Sequence, residues 1–174
     1  MEDKHIEWCL KKAEKEIKEC KRLGKKSKHR GLVKITPDIE EAKKHIEKAE
    51  HYFKTTNYLV QGGIFDVSMG TIFCSMYHCF LGIAAKFGYE SGNQTCTVAL
   101  INSLIERRKL DIGKKYVNFF KYENGSIIEL REDYTYGTEI NKDKSKNDFF
   151  IKEAKDLIDL TKEIIYGESH LNNL

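Results

Sequence analysis

Along most of the chain apolar residues recur every three or four positions. Met69, Phe73, Met76, Phe80, Ile83 and Phe87 fall on one face of a helix spanning Asp66 to Phe87. A second stripe on the same stretch is small or polar: Gly70, Cys74, His78, Gly82 and Ala85. Small side chains let another backbone approach, so the pattern predicts a helix contacted on two sides, the central member of a bundle. Asp66 stands where an N-cap belongs, and Gly88 where a helix stops. From Thr55 to Leu104 only Asp66, Lys86 and Glu90 are charged, in a chain that is one-third charged, so this region is the predicted core.

Other segments carry the same period. Residues 4–23 make a first amphipathic helix through Ile6, Leu10, Ala13, Ile17 and Cys20. Residues 24–35 read as a basic loop opening at Gly24. A second helix starts with Thr36 as N-cap and Pro37 in its first turn, followed by Asp38, Glu40 and Glu41. It runs through Ile39, Ala42, Ile46, Ala49, Phe53 and Val60 and breaks at Gly62-Gly63, which sets it antiparallel to the central helix. Residues 89–95 read as a loop, and Val98, Ile101, Leu104 and Ile105 as a shorter helix. The aromatic stretch with Tyr116, Phe119, Phe120 and Tyr122 suggests a short helix, and Asn124-Gly125 a turn. Ser126 and Glu129 form a capping-box pattern. After a polar loop, a last helix spans 147–166 with Phe150, Ala154, Leu157, Thr161 and Ile164 on one face, and the tail GESHLNNL reads as frayed. No stretch alternates with period two over five residues. The predicted fold is all-α: an up-and-down bundle of four to five main helices with an added N-terminal helix.

The 174 residues contain one proline and no Gly/Ser-rich linker, which fits a single domain over 1–174, with 1–35 as the added element and 38–166 as the core. The run Val67–Ala85 has the ~20-residue length of a membrane span. It also holds His78, two serines, a threonine and two glycines, so a buried helix is the expectation and no membrane is implied. MEDKHIEW has no secretory pattern. Five cysteines, an odd number without CxxC, point to reduced thiols and a cytoplasmic location, with Cys9, Cys20 and Cys74 as packing residues.

Net charge is +3, but the cations cluster: Lys21, Arg22, Lys25, Lys26, Lys28, Arg30 and Lys34, with His29, form a run without an acid. Such a run reads either as a solvated loop or as a phosphate contact surface. Several chemistries are absent. GKKS at Gly24–Ser27 lacks the first P-loop glycine, with Glu19 in its place, and follows a helix. Glu2/His5 is the one Glu-x-x-His pair, and Glu41/His45 and Glu47/His51 sit on an outer face, so no metal or other cofactor is expected. Cys74 and His78 share a face one turn apart, as packing or as a thiol–imidazole pair.

The stretch SMYHCFLGIAAKFGYES resembles the signature of HEPN domains (higher eukaryote and prokaryote nucleotide-binding), a tyrosine and histidine side by side, then small residues, then a glycine: Tyr77, His78, Ala84, Ala85 and Gly88. EEAKKHIEKAEHYFKTTNYLVQGGIFD is similar to the family's preceding helix and break, Leu130-Arg131-x-Asp133-Tyr134 looks like the Arg-x-x-Asp-Tyr of one prokaryotic branch, and IKEAKDLIDLTKEII takes the place of its final helix. The resemblance covers about residues 38–166. It implies a helical bundle that dimerises, binds nucleotide or RNA and pairs with a small nucleotidyltransferase as toxin and antitoxin. Tyr77 and His78 are then the buried polar signature, for which Asp133 is an expected partner. Arg131 would hold phosphate with the basic-loop residues Lys25, Lys26, Lys28 and Arg30, and Tyr134 or Tyr136 offers a hydroxyl for modification.

Active members of the family are metal-independent ribonucleases that use an arginine, four to six intervening residues and then a histidine. Here the first histidine after Arg131 is His170, and Tyr134 and Tyr136 stand in the histidine's place; tyrosine, with a pKa of about 10, is a poor base at neutral pH. The expectation leans away from an enzyme. Its alternatives are a ribonuclease of altered motif built on Arg131, Asp133 and Tyr134, and a structural adaptor without ligand.

Overall fold

A computed structural model describes residues 4–121, 123, 125–138, 140 and 144–167. Tyr122, Asn124, Glu2, the tail with His170 and part of the loop before the last helix lie outside them. The chain runs α1 (Lys4–Arg22), β1 (Leu32–Lys34), α2 (Ile39–Gln61), α3 (Phe65–Lys86), β2 (Tyr89–Ser91), α4 (Gln94–Glu106), α5 (Lys114–Asn118), α6 (Ile127–Tyr136) and α7 (Ser145–Tyr166). The described residues are all-α apart from one small two-stranded sheet.

α3 is the centre, touched by α2, α4, α6, α7 and β2. Met69, Met76, Phe80 and Ile83 are fully buried, and Phe73 nearly so. α3 is also long and apolar enough to cross a membrane, but 61% of that apolar window is buried inside the bundle. α2 packs against the C-terminal part of the small stripe, at His78 and Gly82, and against the neighbouring Ser75 and Thr71. Ala49 O accepts from Ser75 Oγ at 2.9 Å, the Thr56 and Thr71 hydroxyls meet at 2.7 Å, and His45 meets His78. Partner numbers rise on one helix as they fall on the other, so the pair is antiparallel. A Cβ on Gly82 would lie 3.2 Å from Ala42 O and 3.3 Å from Ile165 Cδ1, so a larger residue there would wedge α2 and α7 off α3.

Helix ends differ from the sequence reading in two places. α2 is capped by Asp38, whose side chain accepts from Glu41 N, not by Thr36. Residues 35–38 are occupied elsewhere: Ile35 N donates to Gly88 O and Asp38 N to Ala85 O, laying this segment across the end of α3. Pro37 packs on Gly88, where a positive φ of 80° and a Cβ that would sit 2.8 Å from Ile35 O require glycine. Asp66 is not the N-cap of α3. The helix starts one residue earlier, after Ile64, and Asp66 accepts from Val67 N within the first turn. That start is instead held by buried Asn147 of α7, whose Nδ2 donates to Phe65 O and Ser68 Oγ. Ser126 caps α6 as its half of the box predicts, its Oγ accepting from Glu129 N, while the Glu129 carboxylate accepts from Gly125 N, one residue before the cap.

Two loops contain strands. β1 and β2 pair antiparallel, with Val33 opposite Glu90. Three residues each are too few for alternation to be visible. α1 packs on β1 and α4, burying Ile6, Cys9 and Ala13. There Cys9 and Cys96 are joined in a disulfide across a sequence separation of 87. The expected set of reduced thiols is therefore corrected to three free cysteines, Cys20, Cys74 and Cys79. Cysteine spacing could not show this pair, which the fold brings to a Cα–Cα distance of 5.9 Å. The thiol argument for a reducing compartment falls with it.

Phe80→Ala should cost about 3–5 kcal/mol, read as a lower denaturant midpoint at unchanged slope; a loss under about 1 kcal/mol would mean α3 is not the core. In denaturant without reductant, a thiol reagent should label Cys20, Cys74 and Cys79 but not Cys9 or Cys96. Labelling of Cys9 and Cys96 before reduction would remove the disulfide.

Candidate functional site

Tyr77 and His78 point in different directions from α3. The Tyr77 hydroxyl meets Thr97 Oγ1 at 3.0 Å, and Thr97 in turn bonds Ser91 Oγ and Asn93 O. Burial pushes its phenol pKa up. His78 Nδ1 meets His45 Nδ1 at 3.0 Å, and its ring stacks on Tyr52. Two Nδ1 atoms can share one hydrogen only if at least one ring is neutral. Burial, then the neighbouring His45 and Lys48, push His78 down to about 4; burial also lowers His45, against Glu41. The expected partner Asp133 serves neither residue, being exposed on α6. His45, read from the sequence as lying on an outer face beside Glu41, is instead turned inward by the α2 register to meet α3.

These imidazoles give a signed pH dependence. Neutral in the fold, they take up protons on unfolding once pH falls below the unfolded value of about 6.5. Stability is fully present above that pH and declines toward the folded value of about 4. The melting temperature of the wild type should drop more between pH 7 and pH 5 than that of His45→Phe/His78→Phe. An equal drop would show that the pair does not carry the effect.

Arg131 forms a second site. α6 crosses α3 where the small stripe is not filled by α2, and Gly70 and Cys74 are left beside a cleft of about 460 Å³. The Arg131 guanidinium lies over the Phe73 ring, 4.5 Å from its centroid, and Phe73 stacks on Tyr77. The signature tyrosine and Arg131 are thus linked through Phe73, a residue the motif reading passed over, whereas His78 faces α2. Arg131 Nη2 donates to Glu132 at 3.3 Å; its Nε is buried without a partner. Thr71, Tyr134, Thr135, Tyr136, Val67 and one carboxylate, Asp66, complete the cleft, and Tyr136 is 79% exposed.

Arg131, Asp133 and Tyr134 do not share one face of α6. A helix turns ~100° per residue, so Tyr134 shares the face of Arg131 while Asp133 lies on the far side. The acid that pairs with Arg131 is Glu132, at 3.3 Å. No imidazole lines the cleft among the described residues. Cys74 does, but burial pushes its thiol pKa up, with Arg131 opposing. His78 turns its Nδ1 to His45 rather than to Cys74.

The basic run is partly folded rather than a free loop. Lys25 and Lys26 are exposed. Lys28 and Arg30 line a groove of about 1000 Å³ with Lys12 and Lys15 of α1. Acids absent from the local sequence arrive from elsewhere: Glu16 accepts from Arg30 N and lies 3.8 Å from its Nε, and Glu90 lies 3.1 Å from His29 Nε2. Among the described residues no group of three or more His, Cys, Asp or Glu forms a metal cluster. No protein-family model matches the chain, and no curated protein matches it.

Proposed function

We propose that the chain is a HEPN-type module that binds a nucleotide or the end of an RNA at the Arg131 cleft. The observation that carries this reading is Arg131 itself: a guanidinium braced on Phe73, half-buried, with its Nε unpartnered. A fork of donors fixed by a ring face suits a phosphate oxygen pair. The exposed ring of Tyr136 beside it offers a stacking surface for a base. The cleft volume falls in the range of small-molecule sites.

Binding without cleavage fits the cleft's chemistry. Abstracting a 2′-hydroxyl proton needs a base with a pKa near the working pH. Among the described lining residues no imidazole stands beside Arg131, burial raises the Cys74 thiol, and Asp66 is the one carboxylate. In this reading Tyr136 is the hydroxyl open to a partner nucleotidyltransferase, and a second copy of the chain is the expected dimer partner.

A saturating nucleotide should raise the melting temperature, by about 2.7 kcal/mol of stabilisation at a hundredfold excess over Kd. Arg131→Ala should weaken binding by about 10- to 100-fold, the loss of charge-assisted hydrogen bonds worth about 1.5–3 kcal/mol. RNA incubated without metal should stay intact. No thermal shift with any nucleotide and no retention of oligonucleotides would leave the adaptor reading, and cleavage lost in Arg131→Ala would restore the ribonuclease.

A further inference from the structure

The groove between α1 and the β1–β2 sheet has three independent features. Its floor is apolar. The stripe of α1 is buried only at Ile6, Cys9 and Ala13, and its continuation, Ile17 and Cys20, lines the groove together with Val33. Its rim is cationic, with Lys12 and Lys15 on one wall and Lys28 and Arg30 on the other. The acids at the same place are already engaged: Glu16 by Arg30, Glu19 by two bonds from Arg22, Glu90 by His29. Among the described residues no ion pair is made by Lys15 or Lys28. The third feature is His29. Its side chain is 7% exposed, its Nε2 is fixed by Glu90, and its Nδ1 is buried without a hydrogen-bond partner.

We infer that this groove takes the sugar–phosphate backbone of a single-stranded nucleic acid, with the bases against Ile17 and Val33 and the phosphates along the two rows of cations. An apolar floor between positive walls is the arrangement by which proteins track a flexible strand irrespective of sequence. A strand fits better than one nucleotide, because cations stand on both walls and the groove has more than twice the volume of the Arg131 cleft. Lys12 and Lys15 lie one helical turn apart on α1, so they meet successive positions along a strand. The buried imidazole gives the groove a built polar group: held by Glu90, His29 keeps one nitrogen for a donor or acceptor brought by the ligand or its water. The inference rests on the nucleic-acid reading above but concerns a site remote in sequence from Arg131.

The test is the affinity of the full chain for a labelled single-stranded RNA of ~12 nucleotides, measured by anisotropy across salt concentrations. Each phosphate contact on a single strand contributes about 0.7 to the slope of log affinity against log salt. Lys12→Gln/Lys15→Gln/Lys28→Gln should reduce that slope by about 2 and weaken binding at low salt. A charge-matched control on α7, Lys152→Gln/Lys155→Gln/Lys162→Gln, should leave the slope unchanged. Arg131→Ala should shrink the mononucleotide thermal shift while changing the slope by no more than about 0.7. Equal losses in the two triple variants would mean diffuse attraction by net charge and would overturn the groove. So would an unchanged slope in the groove variant, or no RNA retention by the wild type at low salt. In each of those cases the thermal shift with mononucleotide still decides the Arg131 reading separately.

Discussion

A helix whose 22 residues include one acid, Asp66, and one base, Lys86, cannot face water on any broad side. That constraint organises the molecule. α3 needs a coat, and α2, α4, α6 and α7 are the coat. Where α2 lies closest, the contact depends on the absence of side chain at Gly82 and on hydroxyls and imidazoles that bond across the seam. Where α2 no longer fills the stripe, at Gly70 and Cys74, a cleft remains and α6 reaches over it with Arg131. Packing and candidate chemistry are therefore two ends of one stripe.

Much of this was legible as periodicity. The central helix, its antiparallel partner, the cap at Ser126 and the stop at Gly88 all follow from side-chain types at helical spacing. What periodicity misses is contact between elements. The N-cap moved from Thr36 to Asp38 because Ile35 and Asp38 are bound to the end of α3, a tertiary fact. The strands were too short to alternate. Asn147, holding the start of α3 from the far end of the chain, gives no local sign of doing so.

The site residues follow the same division. Arg131 and Tyr134 could be placed together from their three-residue spacing, and by the same rule Asp133 falls on another face. The motif names Tyr77 and His78 as a unit, yet adjacent residues on a helix point about 100° apart. One faces Thr97 and the other His45. The stacking order Tyr77–Phe73–Arg131 belongs to no linear pattern, because Phe73 reads as ordinary core. The acid-free run at Lys21–Lys34 is acid-free only in one dimension; folding sets Glu16 and Glu90 against it.

The disulfide between Cys9 and Cys96 changes the standing of α1. By side-chain burial this helix is weakly attached, with three buried residues over 19. By connectivity it is part of a covalent ring that includes α2 and α3. In a chain-entropy account, closing a loop of this size removes about 4–5 kcal/mol of freedom from the unfolded chain. The exposed stretch 23–28 lies inside that ring. A backbone break there would convert the chain into two polypeptides that still travel as one molecule, with one wall of the groove retained, until a reductant reached the buried sulfurs.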